Sequence, residues 1–123
     1  LRGHLLVVEN DALILSGLQA QLTQWGFTCE AYAGVEAVYS HRALPKFDMV
    51  ISDYHLDEAN GVDLINYVRE RTSLDIPAFI LSADTTLTAE KIATSISCGP
   101  SITVHHKPIT SEAFFNLIKT RLG

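Results

Sequence analysis

The chain has 123 residues, of which 47% are hydrophobic and 19% are charged. This length and composition predict one globular domain, residues 1–123, and exclude a disordered chain. Nine Lys and Arg against 14 Asp and Glu give a net charge of -5. That balance argues against binding to nucleic acid, which requires a basic surface. No apolar run approaches the roughly 20 residues that cross a bilayer, so we expect no membrane contact by this domain.

The cysteines and the first residue indicate the setting of the domain. Cys29 and Cys98 form no metal-binding pattern, and two cysteines are too few for a disulfide framework. We therefore expect a reducing, cytoplasmic location. Because the chain begins with Leu1 rather than Met, we also expect it to be a segment of a longer multidomain protein.

Short apolar runs alternate with segments of helical periodicity along the chain. The predicted strands are 5–8, 27–32, 47–51, 78–81 and 102–105. The predicted helices are 14–25, 34–44, a segment that begins at 61, 89–96, and a segment that begins near 110. Five strand–helix pairs predict an α/β fold, a doubly wound parallel sheet with helices on both faces.

Polar residues follow four of the five predicted strands, where ligands gather in open parallel sheets. They are Glu9, Asn10 and Asp11 after the first strand, Asp53 after the third, Ser82 after the fourth, and Lys107 after the fifth. Clustered carboxylates favour a hard cation, and Mg²⁺ is usually held by one or two carboxylates together with water and phosphate. A carboxylate can also act as a nucleophile and form an aspartyl-phosphate. The cluster therefore predicts phosphoryl chemistry, with a lysine and a hydroxyl to bind the phosphoryl oxygens.

Several short runs in this sequence resemble the receiver domain of two-component response regulators and hybrid sensor histidine kinases. The runs are 6–11, 48–56, 60–61, 81–83 and 107–109. Each run alone is weakly specific, but their order and spacing make the match specific over essentially the whole chain. The run 53–65 is most similar to receivers fused to hybrid sensor kinases. The resemblance implies a flavodoxin-like fold with strand order 2-1-3-4-5.

The resemblance also implies a role for each residue of the predicted site. Asp53 would accept a phosphoryl group from a histidine kinase or from the histidine of a phosphotransfer domain. Four residues would bind Mg²⁺: Glu9, Asn10, Asp53 and, through its backbone carbonyl, His55. Ser82 would be the switch hydroxyl, and Lys107 would bind the phosphate. His55 and Asp84 occupy positions that flank the attacking water in the family and tune the lifetime of the phosphoryl group.

The activity implied by the resemblance is a conformational switch rather than metabolic catalysis. The domain would catalyse only its own phosphorylation and dephosphorylation, and whether it belongs to an enzyme such as a hybrid histidine kinase stays open. Phosphorylation would shift it between two conformations that differ by a few kcal/mol. The fourth helix, fifth strand and fifth helix would form the surface that reports this change. The resemblance also allows a weak homodimer through that face.

Three departures from the family pattern bear on this function. The usual pair of aspartates is Glu9-Asn10 here, which predicts weaker Mg²⁺ binding unless Asp11 contributes. Val104 stands at a position that is usually aromatic and that reports phosphorylation, so this part of the switch is in question. The segment 99–107 is about one residue longer than usual, so we expect an altered loop before the fifth strand.

Five alternatives compete with the phosphoacceptor hypothesis or with parts of it. The chain could be a pseudo-receiver, which is a phosphorylation-independent interaction module, as Asn10 and Val104 favour. A phosphatase of the haloacid-dehalogenase type needs an aspartate where this chain has His55. A transition-metal site at His55, His105 and His106 is disfavoured because adjacent strand residues point to opposite faces. Nucleotide or flavin binding lacks its glycine-rich motif. The acidic run 9–11 could also merely cap the first helix.

Overall fold

The structure is a computed structural model that describes residues 2–122, in which five strands alternate with five helices. The strands are β1 (His4–Val8), β2 (Thr28–Tyr32), β3 (Met49–Asp53), β4 (Ala78–Ser82) and β5 (Thr103–His106). The helices are α1 (Ala12–Gln24), α2 (Val35–Tyr39), α3 (Gly61–Arg71), α4 (Ala89–Ala93) and α5 (Ser111–Leu122). In the described range, no helix is long and apolar enough to cross a membrane.

The strands form one parallel sheet in the order β2-β1-β3-β4-β5, which confirms the predicted fold class. The register pairs Val8 with Ser52, Asp53 with Leu81, and Ser82 with His106. The carboxyl ends of these four strands therefore lie at one edge of the sheet, and the polar residues that follow them are brought together.

Two hydrophobic clusters cover the two faces of the sheet. One cluster contains Leu6, Val50 and Ile80 of the strands and packs against α2, α3 and α4. The other contains Val7 and Phe79 and packs against α1 and α5. Because β1, β3 and β4 are buried on both faces, their sequences are nearly continuous apolar runs rather than alternating ones.

The second and fourth helices are shorter than the sequence predicted. The second ends at Tyr39 instead of residue 44, and the Ser40 hydroxyl donates to the Ala37 carbonyl over 2.9 Å. Such local bonds from serine compete with continuation of a helix. The fourth ends at Ala93 instead of residue 96, because the amides of Ser95 and Ile96 bond to carbonyls only three residues earlier. These are turn bonds, so the chain leaves the helical path there.

Two ends of the predicted first helix and the two cysteines can now be placed. Ile14 lies at the partly exposed rim of α1, whereas Leu18 and Leu22 are buried. Trp25 packs against Phe114 of α5, with ring centroids 5.6 Å apart. Cys29 and Cys98 are free, half-buried thiols.

Candidate functional site

Four side chains from four strand ends converge at the carboxyl edge of the sheet. Glu9 follows β1 and is 1% exposed, Asp53 ends β3 and is 8% exposed, and Ser82 ends β4 and is fully buried. Lys107 follows β5, and its amide donates to the Ser82 carbonyl over 2.8 Å, which fixes the end of β5 against β4. The parallel register thus assembles a site from residues that are up to 98 positions apart, since Glu9 and Lys107 are its outermost members.

The Lys107 ammonium joins the two carboxylates of this site. Its Nζ donates to Asp53 Oδ2 over 3.2 Å and forms an ion pair with Glu9 Oε1. The Lys107 side chain is only 16% exposed, so water has little access to these contacts. Attraction between opposite charges is stronger in such surroundings than in bulk water.

Burial changes the proton affinity of two members of the site. Burial raises the pKa of the Glu9 carboxyl above its usual value, although the hydrogen bond from Lys107 opposes the shift. Burial alone would lower the pKa of Lys107, but its contacts with Glu9 and Asp53 outweigh that effect and raise it. Lys107 is therefore held as an ammonium beside two acidic groups. One cation is thus shared by two carboxyl groups, and a second cation is favoured there when both are ionised.

The other two residues of the acidic run do not join this cluster. Asn10 is exposed to solvent. Asp11 caps α1, where its Oδ1 accepts from the amides of Leu13 and Ile14 over 3.0 and 3.2 Å. If Asp11 moved to bind a metal, these two amides would lose their acceptor. The helix-capping hypothesis thus describes Asp11, while Glu9 faces Asp53 and Lys107.

Ser82 is connected to the loop that follows β4. The Asp84 amide donates to Ser82 Oγ over 3.0 Å, so the hydroxyl hydrogen of Ser82 is not used in this contact. Asp84 Oδ1 accepts from both the amide and the hydroxyl of Thr86 over 2.9 and 2.6 Å. The hydrogen bond from the Thr86 hydroxyl lowers the pKa of the exposed Asp84 carboxyl. The Ser82 hydroxyl can therefore donate to a group bound beside Asp53 while it continues to accept from the loop.

His55 begins a short loop that returns the chain to α3. It pairs with Asn60 in an isolated antiparallel bridge, and Asn60 caps α3 by accepting from the Asp63 amide over 2.9 Å. A side chain at Gly61 would collide with the Asp53 carbonyl oxygen. The sequence marked Gly61 as a helix start and as part of the receiver-like run 60–61. Its close approach to the Asp53 backbone, which glycine allows, is seen only in the folded structure.

The histidines of β5 face away from each other. The His105 ring lies edge-on to Phe79, with centroids 5.6 Å apart, whereas His106 Nε2 donates to the Leu87 carbonyl over 2.9 Å. Within residues 2–122, no group of three or more His, Cys, Asp or Glu side chains could hold a metal ion. Val104 packs against the core on the α3 side of the sheet. An aliphatic side chain thus occupies the β5 position that is usually aromatic in the family.

The donor set at the carboxyl edge of the sheet is nevertheless compatible with magnesium. Glu9 and Asp53 offer carboxylate oxygens, and Mg²⁺ commonly takes only one or two carboxylates from a protein. Glu9 Oε1 is buried and has no hydrogen-bond partner of standard geometry, although it lies against the Lys107 ammonium. A buried oxygen of this kind is a suitable ligand for a small divalent ion.

Sequence comparison relates the chain to transcriptional regulators. It is 30% identical to the transcriptional regulatory protein GlrR of Escherichia coli K12, over 98% of this chain and 26% of GlrR. It is also 30% identical to the probable transcriptional regulator ycf29 of Porphyra purpurea, over 94% of this chain and 54% of that protein. The chain thus spans about a quarter to a half of the length of these curated relatives.

Solved structures share the fold over nearly the whole chain. A CheY-like response regulator receiver domain protein from Methanospirillum hungatei matches with a TM-score of 0.81 at 19% identity, covering 97% of this chain and 92% of that one. The signal receiver domain of an HD domain-containing protein from Pseudomonas fluorescens matches with a TM-score of 0.80 at 23% identity, covering 99% and 95%. The pattern of the response regulator receiver domain family matches residues 5–119, and the chain therefore belongs to this family.

Proposed function

We propose that this receiver domain is the phosphoacceptor of a two-component phosphorelay and that Asp53 receives the phosphoryl group. The donor is the phosphohistidine of a histidine kinase or of a phosphotransfer domain. The observation that carries the proposal is the 3.2 Å contact between Lys107 Nζ and Asp53 Oδ2 in a largely buried setting. A carboxylate held beside an ammonium at a strand end is positioned to accept a phosphoryl group whose negative charge the ammonium neutralises.

In the transfer step, a carboxylate oxygen of Asp53 forms a bond to phosphorus while the bond from phosphorus to the donor histidine nitrogen breaks. The imidazole leaves with the electron pair of that bond and takes up a proton. Lys107 stabilises charge on the transferring phosphoryl oxygens, and the Ser82 hydroxyl donates a hydrogen bond to one of them. Transfer of this kind depends on positioning and charge neutralisation more than on covalent help from the protein.

Receiver domains typically bind Mg²⁺, and the proposal assigns its ligands in this chain. Glu9 and Asp53 would hold the ion, with Asn10 and the backbone carbonyl of His55 as the remaining predicted ligands. When bound, the ion would neutralise carboxylate and phosphoryl charge. Since Asn10 is exposed and uncharged and Asp11 caps α1, we expect weaker binding than at a site with two aspartates.

A second candidate function is a pseudo-receiver that binds partners without phosphorylation. The exposed Asn10 and the aliphatic Val104 favour it. The contact of Lys107 with Asp53 favours the phosphoacceptor. The two functions differ in one measurable property, which is whether a small-molecule phosphodonor labels Asp53 in the presence of Mg²⁺.

The deciding experiment is intact-mass measurement after incubation with acetyl phosphate, with and without Mg²⁺. We expect the wild-type protein to gain one phosphoryl group only with Mg²⁺, and Asp53→Asn to gain none. Asp57→Asn is the matched control, since Asp57 is an exposed aspartate four residues away, and it should be labelled like the wild type. Labelling of Asp53→Asn would refute the site, and an unlabelled wild type would favour the pseudo-receiver.

The proposal extends to the setting of the domain. Receiver domains interact with histidine kinases and phosphotransfer proteins, and we place this one in the cytoplasm as part of a longer protein. The run 53–65 favours a hybrid histidine kinase as that protein, whereas the names of the relatives favour a transcriptional regulator. Any homodimer would form through α4, β5 and α5, where β5 is an edge strand of the sheet.

A further inference from the structure

The chain between α4 and β5 has an unusual attachment to α3. We call residues 94–102 the connecting segment; the sequence predicted that its first three residues would be helical, but they form turns. Three α3 side chains bond to this segment, and they are spaced three and four residues apart on one face of the helix: Asn66, Arg69 and Glu70. The connecting segment is therefore held by side chains of another element rather than by helical hydrogen bonds of its own.

Arg69 is the most deeply buried of these side chains, with 1% of its surface exposed. Its Nη1 donates to the carbonyls of Cys98 and Pro100 over 3.1 and 2.8 Å. Its Nε and Nη2 both donate to the Ile76 carbonyl over 3.0 and 2.8 Å. Among the described residues, no carboxylate pairs with this guanidinium. A buried charge held only by carbonyl oxygens depends on the planar, five-donor geometry of arginine.

Asn66 and Glu70 extend the same attachment. The side-chain Nδ2 of Asn66 donates to the Ser95 carbonyl over 2.9 Å, and its Oδ1 accepts from the Ser97 backbone amide over 3.0 Å. The side chain thus pairs with the backbone in the way that a neighbouring strand does. The Ser97 hydroxyl donates to Glu70 over 3.1 Å. Residues 95, 97, 98 and 100 are thus bonded to α3 side chains, which leaves little freedom for local movement.

Gly99 shows that the turn is fitted closely to Arg69. It has a φ of +82°, a left-handed conformation that favours glycine. A Cβ there would collide with the Leu74 carbonyl oxygen and lie 3.1 Å from Arg69 Cδ. The turn therefore accepts no side chain, because the arginine stem and the Leu74 backbone fill the space.

Residues 83–93, which link Ser82 to the connecting segment, are held differently. Most of their side-chain bonds are internal; for example, Lys91 Nζ donates to the Thr86 carbonyl over 2.6 Å. His106 provides a bond from another element, to Leu87. Leu87 and Ile92 of this stretch are buried in the core, whereas its other residues are exposed to solvent. Solvent-exposed hydrogen bonds of this kind open locally at low cost. The two consecutive segments therefore differ in how they are secured.

We propose that Arg69 is a positioning residue that locks the connecting segment to α3, so that local opening beside the acceptor ends at Thr94. Residues 83–93 open by themselves, whereas residues 95–100 open only together with α3. The inference goes beyond the proposed function, because it concerns the unphosphorylated chain. It defines which part of the surface next to Ser82 is free to rearrange.

Native-state amide hydrogen exchange, measured by NMR, tests the lock in the wild-type protein. The Ser97 and Leu87 amides are suitable reporters, since each donates one bond, to Asn66 Oδ1 over 3.0 Å and to the Asp84 carbonyl over 3.2 Å. We expect Ser97 to exchange at least about 100-fold more slowly than Leu87 after correction for intrinsic rates. Equal protection of the two amides would overturn the proposal.

The substitution Arg69→Lys tests the role of the arginine. Lysine keeps the charge and the stem but lacks the planar fork, so we expect exchange at Ser97 to accelerate about tenfold or more while the Leu6 amide in β1 keeps its rate. Arg71→Lys is the matched control on the exposed face of α3 and should change neither amide. An unchanged Ser97, or an equal acceleration at Leu6, would contradict a local lock. If Arg69→Lys does not fold, the wild-type comparison still tests whether the connecting segment is held more firmly than residues 83–93.

A second arm rests on the proposed function. After labelling with acetyl phosphate, we expect chemical-shift changes in residues 83–93 that stop before Ser95, and an extension of those changes to 95–100 in Arg69→Lys. Changes of equal size in both segments of the wild type would contradict the lock. Intact mass separates the two ideas: without a phosphoryl gain the proposed function fails, and the exchange comparison still tests Arg69.

Discussion

Two ionic clusters in this domain contain the same kinds of groups but differ in their access to water. The acceptor cluster consists of Glu9, Asp53 and Lys107 at the carboxyl edge of the sheet. The edge cluster consists of His4 of β1, Glu30 and Tyr32 of the edge strand β2, and His41, which follows α2. Each cluster combines carboxylate and basic side chains, and the carboxylate of Glu9 is more deeply buried than that of Glu30.

In the edge cluster, hydrogen bonds outweigh desolvation. His4 Nε2 donates to Glu30 Oε2 over 3.0 Å, and the Tyr32 hydroxyl donates to Glu30 Oε1 over 2.6 Å. Although its partial burial alone would raise the pKa of Glu30, the bonds from Tyr32 and His4 hold that pKa below its usual value. The bond to Glu30 in turn raises the pKa of Tyr32 to about 12.

In the acceptor cluster, desolvation outweighs the hydrogen bonds that favour the charged carboxylate. Burial raises the pKa of Glu9 even though Lys107 is in contact with it. The difference teaches that contact with a cation does not by itself favour a charged carboxylate, since the loss of water can outweigh it. Buried groups with shifted pKa values cluster at functional sites, although structural ion pairs shift pKa values as well.

The largest expected effect comes from removing the shared cation. Lys107→Met leaves two buried acidic groups without their partner, and we expect the free energy of unfolding near neutral pH to fall by about 3 kcal/mol. Lys91→Met, which removes an exposed lysine, is the control and should cost far less. Urea denaturation followed by circular dichroism measures both. A similar loss in the two variants would contradict a special role for burial at Lys107.

The next effect tests the direction of the Glu9 shift. Because the pKa of Glu9 is raised in the folded state above its ordinary 4.5, its contribution is complete below that value and is lost as pH rises through the raised pKa. Glu9→Gln removes this dependence and should unfold with about 1 kcal/mol more free energy than the wild type at mildly alkaline pH. Urea midpoints across the acid-to-alkaline range provide the measurement. A wild type that gains stability relative to Glu9→Gln as pH rises would reverse the assigned sign.

The smallest effect is expected in the edge cluster and has the opposite pH dependence. The pKa of Glu30 is lowered, so its contribution is present above the ordinary value of 4.5 and is lost as pH falls through the folded-state pKa. Glu30→Gln should cost at most about 1 kcal/mol near neutral pH, since the pair is partly exposed. The difference from the wild type should shrink on acidification in the same urea series. A difference that grows instead would show that the two clusters do not differ in sign.

Much of the architecture follows from local pattern. The apolar runs of β1, β3 and β4 and the polar residues after them predicted a parallel sheet with a shared polar edge. The strand order, which the resemblance to receiver domains implied, is confirmed. Helix lengths were less predictable. The predicted fourth helix ends at Ala93, where the chain turns away, and the side chain of Asn66 then binds the Ser95 carbonyl 29 residues later. Helical periodicity contains no information about such a distant partner.

The sequence by itself determined the order of strands and helices and the set of polar residues at the strand ends, since both depend on spacing and side-chain type. Only the tertiary structure decided that Asp11 caps a helix while Glu9 is buried against Lys107, because the two carboxylates are local equivalents in the sequence. The same holds for Arg69, which reads as an ordinary charged residue of a helix but is 1% exposed. Burial and partner choice arise from contacts between segments far apart in the chain, and these contacts form only when the sheet and helices pack together.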